Sequence, residues 1–327
     1  METKHIRQNI AKISEDERIK FRDAILQLQT KFFSGTRDDP VPGHVTYWFK
    51  QDEVHQSTHV HGGPAFLPWH RELCHRFEKM LQEVDASVAL HYWDGTTDPR
   101  ECPDGHGGIV NLFSNGLNGF MGNAIGIAGS PLDSLYDPMA IIDRDTTDNP
   151  ADPPRGIFRN MNFGSGIGAP NIELWEDIVA SANNLPQERQ FRRFRQRLEN
   201  AHNTLHNYIG GTIGDPHTAF RDPFIFLLHS NIDRIWASWQ KIQGQQWRLD
   251  PDLIYGIESN TQAQGEDPGI LTPLSPWAGI NAPGIEDGVI PARPWAPPEN
   301  EDQLPENQKN SRDPTVVQPV EYDEYII

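Results

Sequence analysis

The chain of 327 residues reads as a mainly α-helical protein, a core of four main helices surrounded by long loops, with little β-structure. Three observations lead there. Apolar residues recur at three- and four-residue intervals in several stretches, the mark of a helix that buries one face. Glycine and proline number 27 each, about one residue in six against roughly one in eight in ordinary proteins, so the helices are few and their connections long. Residues 98–170 are rich in Gly, Asn, Asp and Pro, and Asp143 to Arg155 hold no plausible element, which makes this stretch one decorated connection.

The helices follow in order. Residues 15–30 place Ile19, Ile25 and Leu26 among charged and amide residues, with Ser14 as a cap. His70, Leu73, Cys74, Phe77, Leu81 and Val84 mark a second helix that starts just after Pro68. Leu174, Ile178 and Val179 resume the pattern. Phe191, Phe194, Leu198, His202, Leu205 and Ile209 then form a strong stripe closed by Gly210-Gly211. A last helix runs from about Asp222 to Ile242, with Phe226, His229, Ile232, Trp236 and Trp239 on one side. Residues 1–250 therefore read as the core. Residues 251–327 read as a Pro/Gly-rich segment that wraps it and could act as a lid.

Composition narrows the function classes. With 36% apolar residues and 23% charged residues the chain is globular rather than disordered. Its 28 basic and 46 acidic residues leave a charge of −18, which repels nucleic-acid phosphate and anionic lipid and suits a small neutral or cationic substrate. The longest apolar runs, such as Phe224 to Leu228, are far too short to span a membrane. No secretory signal is visible at Met1–His5, and Cys74 and Cys102 are compatible either with one disulfide or with a reducing compartment, so the expectation is a cytoplasmic protein.

The histidines carry the chemistry. His202 and His206 are four apart on a helix, so their rings stack on one face and can share a metal, with His229 on the next helix as a third ligand. A second set begins with His61 and His70, nine apart, one in a loop and one at a helix start. His44 completes that trio on spacing, although His55 and His59 also precede His61. A lone histidine pair at this spacing is as often coincidence as ligand; two sets together are not readily coincidence.

The segments Phe66-Leu67-Pro68-Trp69-His70-Arg71-Glu72 and Phe77-Glu78, followed later by Asp222-Pro223-Phe224 and Leu228-His229-Ser230-Asn231-Ile232-Asp233-Arg234, resemble the copper A and copper B signatures of tyrosinases, catechol oxidases and molluscan haemocyanins, with bacterial tyrosinases most similar. The resemblance implies two copper ions, with His44, His61 and His70 at copper A and His202, His206 and His229 at copper B. It also implies dioxygen as co-substrate and a small phenol as partner. Neutral imidazole tolerates both copper oxidation states, whereas carboxylate cages favour harder ions. Two departures stand out: His59 replaces the cysteine that forms a thioether in several relatives, and Leu228 precedes His229 where the family often has a second histidine.

In the bacterial enzymes an Asn after the first copper B histidine and a nearby Glu are proposed to hold the water that takes the phenol proton; Asn203 and Glu199 match that pattern. Asp233, one turn after His229, is expected to accept a hydrogen bond from a ligand's outer nitrogen. The reading is thus a polyphenol oxidase that ortho-hydroxylates monophenols and oxidises o-diphenols to o-quinones. The alternatives are a catechol or o-aminophenol oxidase and a haemocyanin-like oxygen carrier. A helper protein that loads the copper fits the resemblance, and the tail's Trp277, Trp295 or Tyr322 are candidates to plug the substrate pocket.

Overall fold

The structure is a computed structural model that describes residues 5–31, 46–58, 60–114, 168–264, 268–274 and 309–326, together with residues 120, 135, 157, 159 and 277. It is mainly helical: α1 (Glu15–Leu28), α2 (Lys50–Thr58), α3 (Phe66–Val84), α4 (Trp175–Ala180), α5 (Gln187–Ile209), α6 (Phe224–Gln240) and α7 (Pro314–Val317). Sheet is confined, among the described residues, to two two-stranded pieces. The helices α2, α3, α5 and α6 carry five of the clustered histidines, and of these α3, α5 and α6 are the ones the sequence predicts.

At the centre is α6, whose 17 residues are all buried. A helix enclosed on every side is a core helix, and α3 and α5 pack against it. Phe77 of α3 stacks on Phe226 of α6, and Phe194 of α5 on Trp239. Each such side chain contributes about 1.5–3 kcal/mol by leaving water. The ends of these helices follow from local chemistry. Ser14 and Glu17 form a reciprocal capping box at α1. Gly210, at φ 61°, turns the chain out of α5. Helix α3 begins at Phe66, two residues before Pro68, because a proline in the first turn lacks only an N–H that has no intrahelical acceptor.

Two features lie outside the periodic pattern. The segment Lys50–Thr58 is helical although Val54 is its sole aliphatic residue; tertiary ties hold it, among them Arg221 Nε donating to Asp52 at 2.7 Å. The N-terminal strand β1 (Ile6–Arg7) pairs in parallel with β4 (Glu321–Tyr322), bringing Arg7 beside Tyr322. Strands β2 (Cys102–Pro103) and β3 (Ile109–Val110) form the other, antiparallel pair. Cys74 and Cys102 are both buried and free.

The described parts of 251–327 lie on the helices. Val317 O of α7 accepts from Arg71 and Gln240, each at 2.7 Å. Trp277 is buried and stacks on Trp69 with centroids 5.1 Å apart, and Tyr322 is buried beside Asp233, so neither plugs a pocket; Trp295 lies outside the described residues. No helix among the described residues is long and apolar enough to cross a membrane.

Candidate metal centre

Helix geometry places the second trio. His202 and His206 stand one turn apart on α5, and α6 brings His229 against them. His202 Nε2 lies 2.9 Å from His206 Nε2 and 3.0 Å from His229 Nε2. The first trio is assembled from three elements: His55 on α2, His61 in the following loop and His70 on α3. Its ring centroids are 5.2 to 5.8 Å apart.

The two trios face each other. His70 and His229 stack nearly parallel, centroids 4.7 Å apart, and His61 lies 5.9 Å from His202. Phe220 packs on His55 and His229, and Phe66 on His61, His70 and His202, so each of two buried phenylalanines touches ligands of both trios.

Hydrogen bonds to the outer nitrogens settle which ring atom points inward. Backbone carbonyls of Pro216, Phe66, Ile213 and Ile225 accept from Nδ1 of His55, His70, His206 and His229 at 2.7 to 3.1 Å. A carbonyl only accepts, so each Nδ1 carries the proton and each Nε2 presents a lone pair. Asn203 Oδ1 does the same for His202 at 2.9 Å. Bare lone pairs at 2.9 and 3.0 Å repel one another unless a cation lies among them, and nitrogens about 2.0–2.1 Å from a shared ion stand at such short separations. His55 Nε2 and His70 Nε2 are buried with no protein partner, as ligand atoms of the first trio are. Burial, reinforced by neighbouring rings, holds His55, His70, His202 and His229 well below the usual imidazole range, and burial takes His206 down to about 4. All five are therefore neutral at pH 7, the form that binds metal. Two three-imidazole sites without thiolate or carboxylate fit a pair of copper ions.

A cavity of about 750 Å³ opens onto both trios, with His61, His202 and His206 on its wall together with Asn203, Asn207 and Gln264.

A profile of the common central domain of tyrosinase matches residues 39–242. A tyrosinase of Streptomyces glaucescens is 30% identical over 247 residues, spanning 72% of this chain and 82% of that protein. The chain belongs to the tyrosinase family. Grixazone synthase of Streptomyces griseus is 29% identical over 313 residues, 84% of this tyrosinase-family chain and 93% of the relative. Hemocyanin 2 of Megathura crenulata is 30% identical over 252 residues, 73% of this chain but 6% of its own length. Among solved structures, a functional unit of octopus hemocyanin superposes with a TM-score of 0.56 at 18% identity, over 98% of this chain and 68% of that one. A polyphenol oxidase of Thermothelomyces thermophila does so at 0.54 and 22%, over 75% and 74%. These superpositions establish the fold.

Three expectations need correction or refinement. Among the described residues the first trio is completed by His55; His44, the residue the spacing pointed to, lies outside the described residues, and α2 is held by Asp52 and by Pro216 O so that His55 meets His61 and His70. Asp233 takes no ligand nitrogen: it accepts from Arg71, from Arg7 at 3.2 Å and from Tyr322 at 2.8 Å, because the carbonyl one turn earlier already satisfies His229 Nδ1. It ties α3 to α6 instead. Asn203 is on the pocket wall, whereas Glu199 stands behind Gly62, accepting from the Gly62 N–H and, at 3.2 Å, from Arg195. The phenylalanine Phe220 and the pocket residue Gln264 carried no signal in the sequence.

Proposed function

We propose that this tyrosinase-family chain is a copper-dependent polyphenol oxidase that uses dioxygen to ortho-hydroxylate monophenols and oxidise o-diphenols to o-quinones. The observation that carries the reading is the solvent-connected cavity of about 750 Å³ onto which both trios open, a volume that admits a phenol. An oxygen carrier needs only dioxygen to enter; a cavity of this size supports catalysis instead.

Copper ions held by His55, His61 and His70 and by His202, His206 and His229 supply the two electrons and the oxygen activation when bound. The protein supplies the rest. Phe66 and Phe220 hold the ligand rings in place from the buried side. Asn203 fixes the tautomer of His202 and leaves its amide NH2 to the pocket, where it can hold a water or a phenol oxygen. Glu199, one turn before Asn203 on α5, is the carboxylate nearest in sequence and face for accepting a phenol proton through that water.

A second reading, oxidation of catechols or o-aminophenols without the hydroxylation step, is favoured by one observation: both Glu199 oxygens already accept from protein donors. Protein loaded with copper, assayed for metal content and for turnover of a monophenol and the matching diphenol, separates the readings. Two coppers with both activities support the proposal; the diphenol alone selects the second reading; two coppers with turnover of neither phenol refutes both.

A further inference from the structure

The pocket wall is built almost wholly from residues inside the 39–242 match, with Gln264 as the exception. Its loop is not loosely attached. The turn Gly256–Glu258 presses on the start of α5 so closely that a Cβ at Gly256, φ 51°, would lie 2.2 Å from Glu188 O. Glu258 accepts from Arg195 at 3.2 Å, and the same buried guanidinium bonds Gly62 O at 3.1 Å, next to His61. Beyond the turn, Thr261 closes the loop by accepting from Leu271 N through its carbonyl and from Ile270 N through its hydroxyl, both at 3.0 Å. Gln264 thus projects an exposed amide into the pocket from a base fixed to the metal-site scaffold.

The chemistry of the wall is one-sided. Apart from the histidines, its polar side chains are the neutral amides of Asn203, Asn207 and Gln264, and no lysine, arginine or carboxylate lines it among the described residues. A ring substituent bearing a carboxylate finds no cation there and meets a molecule of charge −18. A neutral substituent that both donates and accepts is matched by an amide, which does the same.

Resting on the phenol-oxidising reading, we propose that Gln264 is a specificity-determining residue that hydrogen-bonds the ring substituent of neutral, amide- or hydroxyl-bearing phenols. The test measures binding without turnover. Copper-loaded wild type, Gln264→Leu and Gln264→Lys are titrated calorimetrically under nitrogen with 4-hydroxyphenylacetamide, 4-hydroxyphenylacetate and 4-ethylphenol. Wild type is expected to bind the amide more tightly than the acetate. Gln264→Leu is expected to weaken the amide about three- to tenfold, the worth of one neutral hydrogen bond, while leaving 4-ethylphenol unchanged. Gln264→Lys is expected to raise affinity for the acetate. Overturning results are an amide-to-ethylphenol ratio that stays within twofold in Gln264→Leu, an equal loss for all three probes, or no binding of any probe. Because no oxygen is present, these results stand apart from the aerobic assay: a chain that binds with this selectivity yet oxidises no phenol refutes the enzyme reading alone.

Discussion

The two histidine trios are alike in chemistry and differ in how they are built. His202, His206 and His229 come from two long helices in direct contact, and the inner nitrogen of His202 already stands about 3 Å from those of the other two. His55, His61 and His70 come from a short helix, a loop and a long helix, and the first two of these depend on ties from afar: Pro216 O and Arg221 for α2, Arg195 and Glu199 for the loop at Gly62. Regular structure fixes one site; long-range hydrogen bonds fix the other. The second arrangement gives way first when a tie is cut, because each tie is a single, partly buried bond rather than a helix repeat.

His55→Ala tests the asymmetry most severely. It is expected to leave one copper per chain by metal analysis and no phenol turnover, whereas His44→Ala keeps two coppers. Two coppers in His55→Ala would remove His55 from the first trio. Asp233→Ala sharpens the contrast from the other side, since Asp233 joins α3 to α6 and so serves both sites. Arg7 keeps Glu78, but leaving the buried Arg71 without its carboxylate is expected to cost about 3–5 kcal/mol in urea unfolding, with both trios weakened together. Loss of copper from one trio only would contradict the shared tie.

Glu199→Gln is expected to lower monophenol turnover about a hundredfold while diphenol turnover changes only severalfold. Equal losses would reduce Glu199 to an anchor of the Gly62 loop. The smallest effect concerns the scaffold common to both sites. His91 is 6% exposed, and burial pulls it down to about 4 from the usual value of about 6.5. The unfolded chain therefore binds this proton first, so His91 adds a share of stability that is fully present above pH 6.5 and is lost, on the order of 2–3 kcal/mol, as pH falls towards 4, beside the shares of the other buried histidines. His91→Phe is expected to flatten that slope; an unchanged slope in acid-unfolding curves would assign it to other groups.

The same asymmetry decides what could be read from the sequence. The helical stripes through His70, His202, His206 and His229 carry their own geometry, so α3, α5 and α6 and the histidines they turn inward are legible from periodicity. His55 is not, because Lys50–Thr58 shows no apolar stripe and its place is set by Arg221, 169 positions after Asp52. Asp233 was legible as a buried polar partner but not as whose, since the α6 backbone already serves His229 and the carboxylate turns to arginines from distant segments. Gln264 lies in a stretch without pattern, and only the folded loop brings it to the pocket.

The meeting of Arg7, Arg71, Asp233 and Tyr322 bears on the order of events during synthesis. Arg7 and Tyr322 share a hydrogen bond across 315 positions of chain. A chain emerging N-terminus first forms α3 long before α6, and the carboxylate that joins them receives the Tyr322 hydroxyl only when the segment 89 positions further along has followed. The tie common to both sites is accordingly completed well after the last of their six histidines, His229, has emerged.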